Sequence, residues 1–226
     1  MPETLCKICG LRREEDLRLC HELGVGFTGF IFARQSPRFV EPEAVAALPV
    51  HYPDSPAGRP LRVGVFAGES LDEIRRVAST ARLDLLQLHG GEDENFCRAL
   101  RPERVIKVLW PQRLGRQGLE DEMRRFAPVC AWFLLDAGQS GGGSGGNLDW
   151  RDLAELRPPR PWLLAGGLGP DSLPLALAAC SPDGVDLNSA LESAPGEKDH
   201  ARMRAAVAIV KGERKNASGG LRGVAP

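Results

Sequence analysis

The chain has 226 residues, of which 29 are basic and 30 are acidic, so its formal net charge at pH 7 is −1. This balance argues against a protein that binds nucleic acid or a membrane surface, because either would need an excess of basic residues. No apolar run reaches the about 18 residues that a membrane-spanning helix requires. The first ten residues, MPETLCKICG, lack the apolar stretch of a secretory signal. We therefore expect a cytoplasmic protein.

A pattern of β-strand followed by α-helix recurs eight times along the sequence. The predicted strands cover residues 4–9, 26–32, 62–66, 84–88, 104–109, 131–135, 162–165 and 184–187. The predicted helices cover 13–23, 42–48, 71–80, 92–100, a segment that includes 118–126, 150–156, 170–179 and 199–210. Ser70 is expected to cap the third helix in a capping box with Glu73, and Pro170 to occupy the first position of the seventh helix.

Eight such units in one short chain, without a break in composition, predict a single (β/α)8 barrel over residues 1–211. Such barrels normally have about 250 residues, with about 200 as the lower limit, so the chain can just form one. The alternative is an open, doubly wound sheet. It is less favoured because no GxGxxG follows the first strand and the glycines cluster later in the chain. Residues 212–226 contain too few apolar side chains to fold and are predicted to be a disordered tail.

The segment 133–150, FLLDAGQSGGGSGGNLDW, combines a strand, an acid and a glycine-rich loop. The apolar run ends at Asp136, and Asp149 is a candidate N-cap for the helix that follows. Backbone N–H groups of a glycine-rich loop can surround an oxyanion that side chains would exclude. A flexible linker is the alternative. It is less favoured because the loop directly follows an apparently buried strand that ends in a carboxylate.

In a barrel of this type the active site lies at the carboxyl ends of the strands. Polar groups and glycines gather at these predicted ends: Cys9, Arg38, His89, Asp136, Gly166, Gly167, Asp186, Asn188 and Ser189. The loops after the seventh and eighth strands commonly bind phosphate in this fold, which predicts that Gly166-Gly167 and Asn188-Ser189 hold the phosphate of a sugar-phosphate substrate.

The first and sixth strands of such a barrel flank the seventh and eighth. Cys9 and Asp136 are therefore expected to face each other across a ligand whose phosphate lies between them. A thiolate can act as a base and a buried carboxyl as an acid. Lys7 lies on the same strand face as Cys9, where its charge favours the thiolate.

Each candidate also has a purely structural interpretation. Cys9 fits a small core residue, Asp136 a turn cap and His89 a packed histidine bonded to backbone. Arg38 fits an exposed loop residue or a partner of Glu41, and Asp186 a partner of Lys7 on the neighbouring strand.

Cys6 and Cys9 formally match the CxxC pattern of redox and zinc modules. A metal site is not expected, because no second ligand pair completes a tetrahedral zinc site. Strand residues three apart also point to opposite faces. The six scattered cysteines fit a reducing compartment.

Seven motifs carry a resemblance to a known family. They are KICGL (7–11), GFIFARQSPRFV (29–40), VGVFAGES (63–70), LQLHGGED (86–93), the 133–150 segment, LLAGGLGPDS (163–172) and GVDLNSALESAPGEKD (184–199). Over roughly its first 211 residues the chain resembles the phosphoribosylanthranilate isomerases of tryptophan biosynthesis. One departure is Ala190, which stands where the family commonly has glycine.

The resemblance implies a (β/α)8 barrel that carries out an Amadori rearrangement of N-(5′-phosphoribosyl)anthranilate without cofactor or metal. It implies Cys9 as general base and Asp136 as general acid. The remaining implied site residues are Arg38 for the anthranilate part, His89 and Asp186 along the site, and Gly166, Gly167, Asn188 and Ser189 for the phosphate. The implied partner is this small phosphosugar, with no nucleic acid and no membrane.

Other functions stay open at this point. An indole-glycerol-phosphate synthase would show catalytic lysine and glutamate on several strands, and a dual histidine/tryptophan isomerase would use an aspartate in place of Cys9. A catalytically inactive barrel that serves as a binding subunit is a third possibility. The sequence leaves monomer and homodimer equally open.

Overall fold

The computed structural model describes residues 4–52, 58–136 and 150–212. Eight parallel strands form a closed barrel, in which each strand pairs with the next along the chain and β8 pairs with β1. The strands are β1 (Leu5–Ile8), β2 (Phe27–Ile31), β3 (Leu61–Phe66), β4 (Leu85–Leu88), β5 (Val105–Leu109), β6 (Trp132–Asp136), β7 (Trp162–Ala165) and β8 (Gly184–Leu187). The closed barrel confirms the predicted fold and excludes the open, doubly wound sheet.

Helices connect the strands on the outside of the barrel. They are α1 (Glu14–Glu22), α2 (Pro42–Ala47), α3 (Leu71–Thr80), α4 (Glu94–Ala99), α5 (Pro111–Phe126), α6 (Leu173–Ala179) and α7 (His200–Val210). After β8 the chain forms a short antiparallel hairpin of β9 (Glu192–Ala194) and β10 (Glu197–Lys198), which was not predicted from the sequence.

Two predicted helices differ from the observed structure. The predicted helix 150–156 is a single 3-10 turn at Trp150–Leu153. The seventh predicted helix begins at Leu173, so Pro170 is not its first residue. The Gly169 carbonyl accepts from the N–H groups of Ser172 and Leu173, at 3.1 and 2.9 Å, and this turn occupies the residues before the helix.

The structure confirms the predicted Ser70 cap of α3, and the return bond from the Glu73 side chain that would complete a capping box stays a prediction. The Ser70 hydroxyl accepts a hydrogen bond from the backbone N–H of Glu73 at 3.3 Å. The segment 118–126 lies within α5, as expected, and α5 contains a break at Gly115, where φ is 63°.

Side chains alternate along the strands between the barrel interior and the surrounding helices. The interior cluster comprises Phe27, Val63, Leu85, Ile106, Val108, Leu134, Leu163 and Ala165. At the carboxyl ends of the strands, Cys9 packs in a separate small cluster with Ile31, Ala33 and Val65. Cys6 belongs to the helix-facing core instead. The two cysteines of the CxxC pattern therefore lie in different clusters, as strand alternation predicts.

Several predictions fall on residues outside the described part of the chain. These are the glycine-rich loop, the N-cap role of Asp149 and the disorder of the tail from residue 213 onward. The domain boundary at 211 also stays a prediction, although the described elements extend from Leu5 to Val210. Within the described ranges, no helix is long and apolar enough to cross a membrane.

Gly184 tests how tightly β8 is packed against its neighbours. A Cβ atom at Gly184 would lie 2.8 Å from the backbone oxygen of Leu5 and 2.7 Å from Leu163 Cδ2. We expect Gly184→Ala to lower the free energy of unfolding by about 1–3 kcal/mol, because the β1 backbone must shift to admit the methyl group. Urea denaturation would measure the change.

Gly118→Ala is the matched control in α5. A Cβ atom there would come no nearer than 3.5 Å, to Leu114 Cβ. Since alanine restricts the unfolded chain and favours the helix, we expect this variant to gain about 0.5–1 kcal/mol. A Gly184→Ala protein as stable as the native one would contradict the packing described here.

Candidate active site

The predicted base, Cys9, directly follows β1 at the carboxyl end of the barrel. Its backbone N–H donates to the carbonyl of Leu187, at the end of β8, over 2.8 Å. Its side chain is buried, with 3% of the residue exposed. The thiol is therefore fixed by the seam at which the barrel closes.

Lys7 lies in the barrel interior between Cys9 and Asp186. Its side chain is fully buried, and its Nζ atom lies 2.9 Å from Asp186 Oδ1. The β1–β8 register places these two residues directly opposite each other. A Cβ atom at Gly29 would lie 2.9 Å from Cys9 Sγ and 3.2 Å from Lys7 Nζ. The thiol and the ammonium thus converge over Gly29, where a larger residue would displace them.

The charges of this buried group act on one another. Burial raises the pKa of the Cys9 thiol, and the Lys7 ammonium lowers it only in part, so the net direction is upward. Burial lowers the pKa of Lys7, but Asp186 and Cys9 raise it by more, and the lysine stays charged. Burial likewise raises the pKa of Asp186 against the effect of Lys7. Lys7 therefore lowers the pKa of Cys9, as predicted, but by less than burial raises it.

The predicted acid, Asp136, is the last residue of β6 and lies near His89, which follows β4. His89 Nε2 is 3.6 Å from Asp136 Oδ2. The imidazole ring also packs against Trp110 at the end of β5, with ring centroids 5.2 Å apart. His89 therefore contacts both the predicted acid and an aromatic residue at the end of β5. Its role is not limited to that of a packed histidine bonded to backbone.

The acid and the Lys7–Asp186 pair are electrostatically connected. Besides burial, the charge of Asp136 contributes to the raised pKa of Asp186, and His89 acts in the opposite direction. Strands β6, β7, β8 and β1 are consecutive around the barrel. The structure therefore gathers four predicted residues at one end of the barrel: Cys9, His89, Asp136 and Asp186.

Arg38 does not pair with Glu41, the partner suggested by its structural interpretation. It binds the buried Glu192, with Nε 2.9 Å from Oε1 and Nη2 2.7 Å from Oε2. Glu41 instead lies 4.0 Å from Arg34. Glu41 was suggested as the partner of Arg38 because it is close along the chain. The β9–β10 hairpin instead places the carboxylate of Glu192 beside the loop that carries Arg38.

Gly10 connects Arg38 to the predicted phosphate site. Its φ of 74° is left-handed, and a Cβ atom there would lie 2.9 Å from Arg38 Cδ and 2.7 Å from Asn188 Oδ1. The arginine and the asparagine therefore both contact the residue that follows Cys9. Glycine is required here by the backbone angle and by the lack of space.

The predicted phosphate residues lie on two adjacent strand ends. Gly166 and Gly167 follow β7 with φ values of 106° and 67°, and Asn188 and Ser189 follow β8. The two loops touch, because a Cβ atom at Gly169 would lie 2.7 Å from Ala190 Cβ. The methyl group of Ala190, the departure noted above, thus occupies space that Gly169 leaves empty.

Comparison with known proteins decides the family. The model of the family described as N-(5′-phosphoribosyl)anthranilate (PRA) isomerase matches residues 6–208. The chain belongs to this family. An N-(5′-phosphoribosyl)anthranilate isomerase from Desulfovibrio desulfuricans is 47% identical over 94% of this chain and 98% of its own.

Solved structures agree with this assignment. A phosphoribosyl anthranilate isomerase in complex with reduced 1-(o-carboxyphenylamino)-1-deoxyribulose 5-phosphate has a TM-score of 0.77 and 31% identity, covering 92% of this chain and 99% of the other. A dimeric relative from Thermotoga maritima, studied as monomers, has a TM-score of 0.75 and 30% identity with the same coverage. As a phosphoribosylanthranilate isomerase family member, the chain is an isomerase of tryptophan biosynthesis.

Three residues that contact the candidate site residues were not predicted from the sequence: Trp110, Glu192 and Lys198. Trp110 directly follows β5, and a search of every strand end for aromatic residues would have found it. Glu192 and Lys198 flank the Pro-Gly turn in the second half of the 184–199 motif, beyond the strand end that indicated Asp186, Asn188 and Ser189. Within the described ranges, no group of three or more His, Cys, Asp and Glu side chains is arranged to hold a metal ion.

Replacing Lys7 by methionine tests its effect on the thiol. Loss of the ammonium removes the charge that opposes burial, so the pKa of Cys9 rises and less thiolate is present at a given pH. We therefore expect the pH midpoint for alkylation of Cys9 by iodoacetamide to move upward. Mass spectrometry of the Cys9 peptide separates this reaction from those of the other cysteines.

Lys107→Met is the matched control for that experiment. Lys107 is also buried, but it binds Glu92 and the carbonyl of Gly90 on the outer side of β5. This variant is expected to leave the Cys9 midpoint in place. An unchanged midpoint in Lys7→Met would show that the ammonium does not act on the thiol.

Proposed function

We propose that the chain converts N-(5′-phosphoribosyl)anthranilate into 1-(2-carboxyphenylamino)-1-deoxyribulose 5-phosphate, with Asp136 as general acid and Cys9 as general base. The observation that carries the proposal is the placement of these two groups. Asp136 ends β6 and Cys9 directly follows β1, so the two residues lie on either side of the β7 and β8 loops at the same end of the barrel. Acid and base are thus available to one sugar whose phosphate is held between them.

The first step is opening of the ribose ring. Asp136 donates a proton to the ring oxygen, the bond from that oxygen to C1′ breaks, and the anthranilate nitrogen supplies the electron pair that forms an iminium. His89, 3.6 Å from Asp136, stays beside the carboxylate that this step produces. A nearby imidazole and a partly buried site both favour a controlled proton transfer over exchange with bulk water.

The second step is loss of the C2′ proton to Cys9. The electrons of the C2′–H bond form a C1′=C2′ double bond, and the iminium nitrogen becomes neutral in the resulting enolamine. Tautomerisation then gives the ketose, so hydrogen moves within the substrate without any external oxidant or reductant. The iminium charge and the Lys7 ammonium both favour the thiolate, which burial alone disfavours.

The remaining site residues bind the two anionic ends of this substrate. Gly166, Gly167, Asn188 and Ser189 are assigned to the phosphate, with backbone N–H groups of the β7 and β8 loops as donors. Arg38 is assigned to the anthranilate carboxylate, and Asp186 holds Lys7 in place beside the thiol. The complex of a relative with the reduced ketose phosphate supports this substrate class.

One further observation supports a cytoplasmic setting for this enzyme. All six cysteines are free and buried, which suits the reducing cytoplasm. As the oligomeric state we propose a monomer or a homodimer, since one relative from Thermotoga maritima is dimeric and was studied as monomers.

Fluorescence of the substrate, made in situ, gives a direct assay of this reaction. We expect the native protein to consume the fluorescent substrate rapidly, and Cys9→Ser and Asp136→Asn to lower kcat by about 10²–10⁴-fold each, the usual contribution of a positioned acid or base. Cys6→Ala is the matched control. It removes a buried thiol three residues away on the helix-facing side of β1 and is expected to keep native turnover.

A folded native protein without turnover would contradict the proposal and favour an inactive binding barrel. Ala190→Gly would then be the first variant to assay, since it restores the common family residue. Full activity of Cys9→Ser or of Asp136→Asn would leave the reaction standing but refute the assigned role.

A further inference from the structure

We propose that Glu192 and Lys198 are positioning residues, and that the β9–β10 hairpin sets the geometry of both anion-binding ends of the site. Glu192 acts through Arg38 at the anthranilate end, and Lys198 acts through Asn188 at the phosphate end. This inference rests on the proposed function and adds to it two residues that touch neither end of the substrate directly.

Glu192 selects which edge of the Arg38 guanidinium faces the site. Its carboxylate is buried, with 4% of the side chain exposed, and takes the Nε–H and one Nη2–H. Among the described residues, none takes the other edge, which is formed by Nη1 and the second Nη2–H. That edge presents two parallel N–H groups, which fit a carboxylate in a bidentate manner. Without Glu192 the guanidinium is free to rotate and to offer either edge.

Lys198 fixes the orientation of the Asn188 side chain. Its fully buried Nζ lies 2.8 Å from Glu192 Oε1, 3.2 Å from the Asn188 carbonyl and 3.0 Å from Asn188 Oδ1. These three contacts use all the donors of an ammonium group. Because the amide oxygen is held by Lys198, the NH₂ group of Asn188 is turned away from it. A donor is thus available to an anion.

The hairpin therefore holds a compact group of charges between the two ends. Arg38 and Lys198 carry two positive charges and Glu192 one negative charge, so the group has a net charge of +1. Buried ion pairs contribute little to stability after desolvation. A net positive charge between two anion sites, by contrast, favours a substrate with a carboxylate at one end and a phosphate at the other.

Contacts at the hairpin and at Gly10 connect this group to the catalytic thiol. The Gly196 N–H donates to Glu192 Oε1 over 3.2 Å, which fixes the carboxylate within its own turn. Arg38 Cδ and Asn188 Oδ1 both press on Gly10, the neighbour of Cys9. A shift of the hairpin would thus move both substrate ends relative to the base.

Two simple probes separate the two roles. Anthranilate represents the carboxylate end and inorganic phosphate the phosphate end, and calorimetry gives the Kd of each without requiring turnover. We expect Glu192→Gln to raise the Kd for anthranilate about 10-fold or more, and to change the Kd for phosphate much less. Lys198→Met is expected to raise the Kd for phosphate by a similar factor, and to change the Kd for anthranilate much less. Loss of a charged hydrogen bond has effects of this size.

Two further variants distinguish positioning from general stability. Asp84→Asn breaks another bidentate arginine pair, with Arg59, below β4 at the opposite end of the barrel, and is expected to leave both Kd values unchanged. Arg38→Met weakens anthranilate binding by itself. Adding Glu192→Gln to it should then cause no further loss, because Glu192 acts through Arg38.

The proposal is overturned when Glu192→Gln and Lys198→Met raise both Kd values alike, or change neither, or when the native protein binds neither probe. Absence of turnover in a native protein that does bind both probes would count against the proposed reaction alone. Steady-state assays of active variants add one more readout: Glu192→Gln is expected to raise KM more than it lowers kcat.

Discussion

The ion pair between Lys7 and Asp186 sits at the seam where the barrel closes. Neither charge is tolerable alone in the barrel interior, because a buried group without a counter-charge is strongly destabilising. The pairing register of β1 with β8 places the two residues opposite each other, so correct closure satisfies both charges at once. A slip of one residue would turn every side chain of β1 to the other face. The thiol of Cys9, two residues beyond Lys7 and proposed as the general base, depends on this register.

The residues of the candidate site are held in place in two different ways. Cys9, Asp136 and Asp186 lie on or directly after strands, and their positions follow from the hydrogen bonding of the barrel. Arg38 and Asn188 lie in loops and owe their orientation to side chains of the hairpin. The sheet therefore holds the residues at the acid–base centre, and a network of charged side chains holds the residues assigned to the ends of the substrate. This suits a reaction in which a proton moves within one small sugar.

Much of the fold was accessible from the sequence, for physical reasons. The eight strands are short apolar runs at regular spacing, and their predicted ends agree with the structure to within one residue on each side, because buried parallel strands require such runs. The helix at 150–156 was wrong because a candidate N-cap and the apolar residues after it suggested a helix, whereas the chain makes only a 3-10 turn at Trp150–Leu153. The hairpin was missed because its strands, of two and three residues, are too short to show alternation.

The candidate site was predictable in its composition but not in its contacts. Strand ends identified Cys9, His89, Asp136 and Asp186, since each lies within the last two residues of a strand or directly after it. The partner of Arg38 was not accessible, because Glu192 is 154 residues away and no local pattern links the two. The direction in which the pKa of Cys9 is shifted also could not be predicted from the sequence. That direction depends on the balance between burial and one ammonium group, which only the packed structure reveals.

The contact between Gly169 and Ala190 has a consequence for how this sequence can change over generations. The two positions share a space that holds one methyl group. While Ala190 is present, any side chain acquired at position 169 meets it at once. After a change to glycine at 190, the same side chain would find that space empty. The order of substitutions is therefore constrained. One homologue can carry a side chain at position 169 and glycine at 190, and another the reverse, but a protein with side chains at both positions would be overpacked.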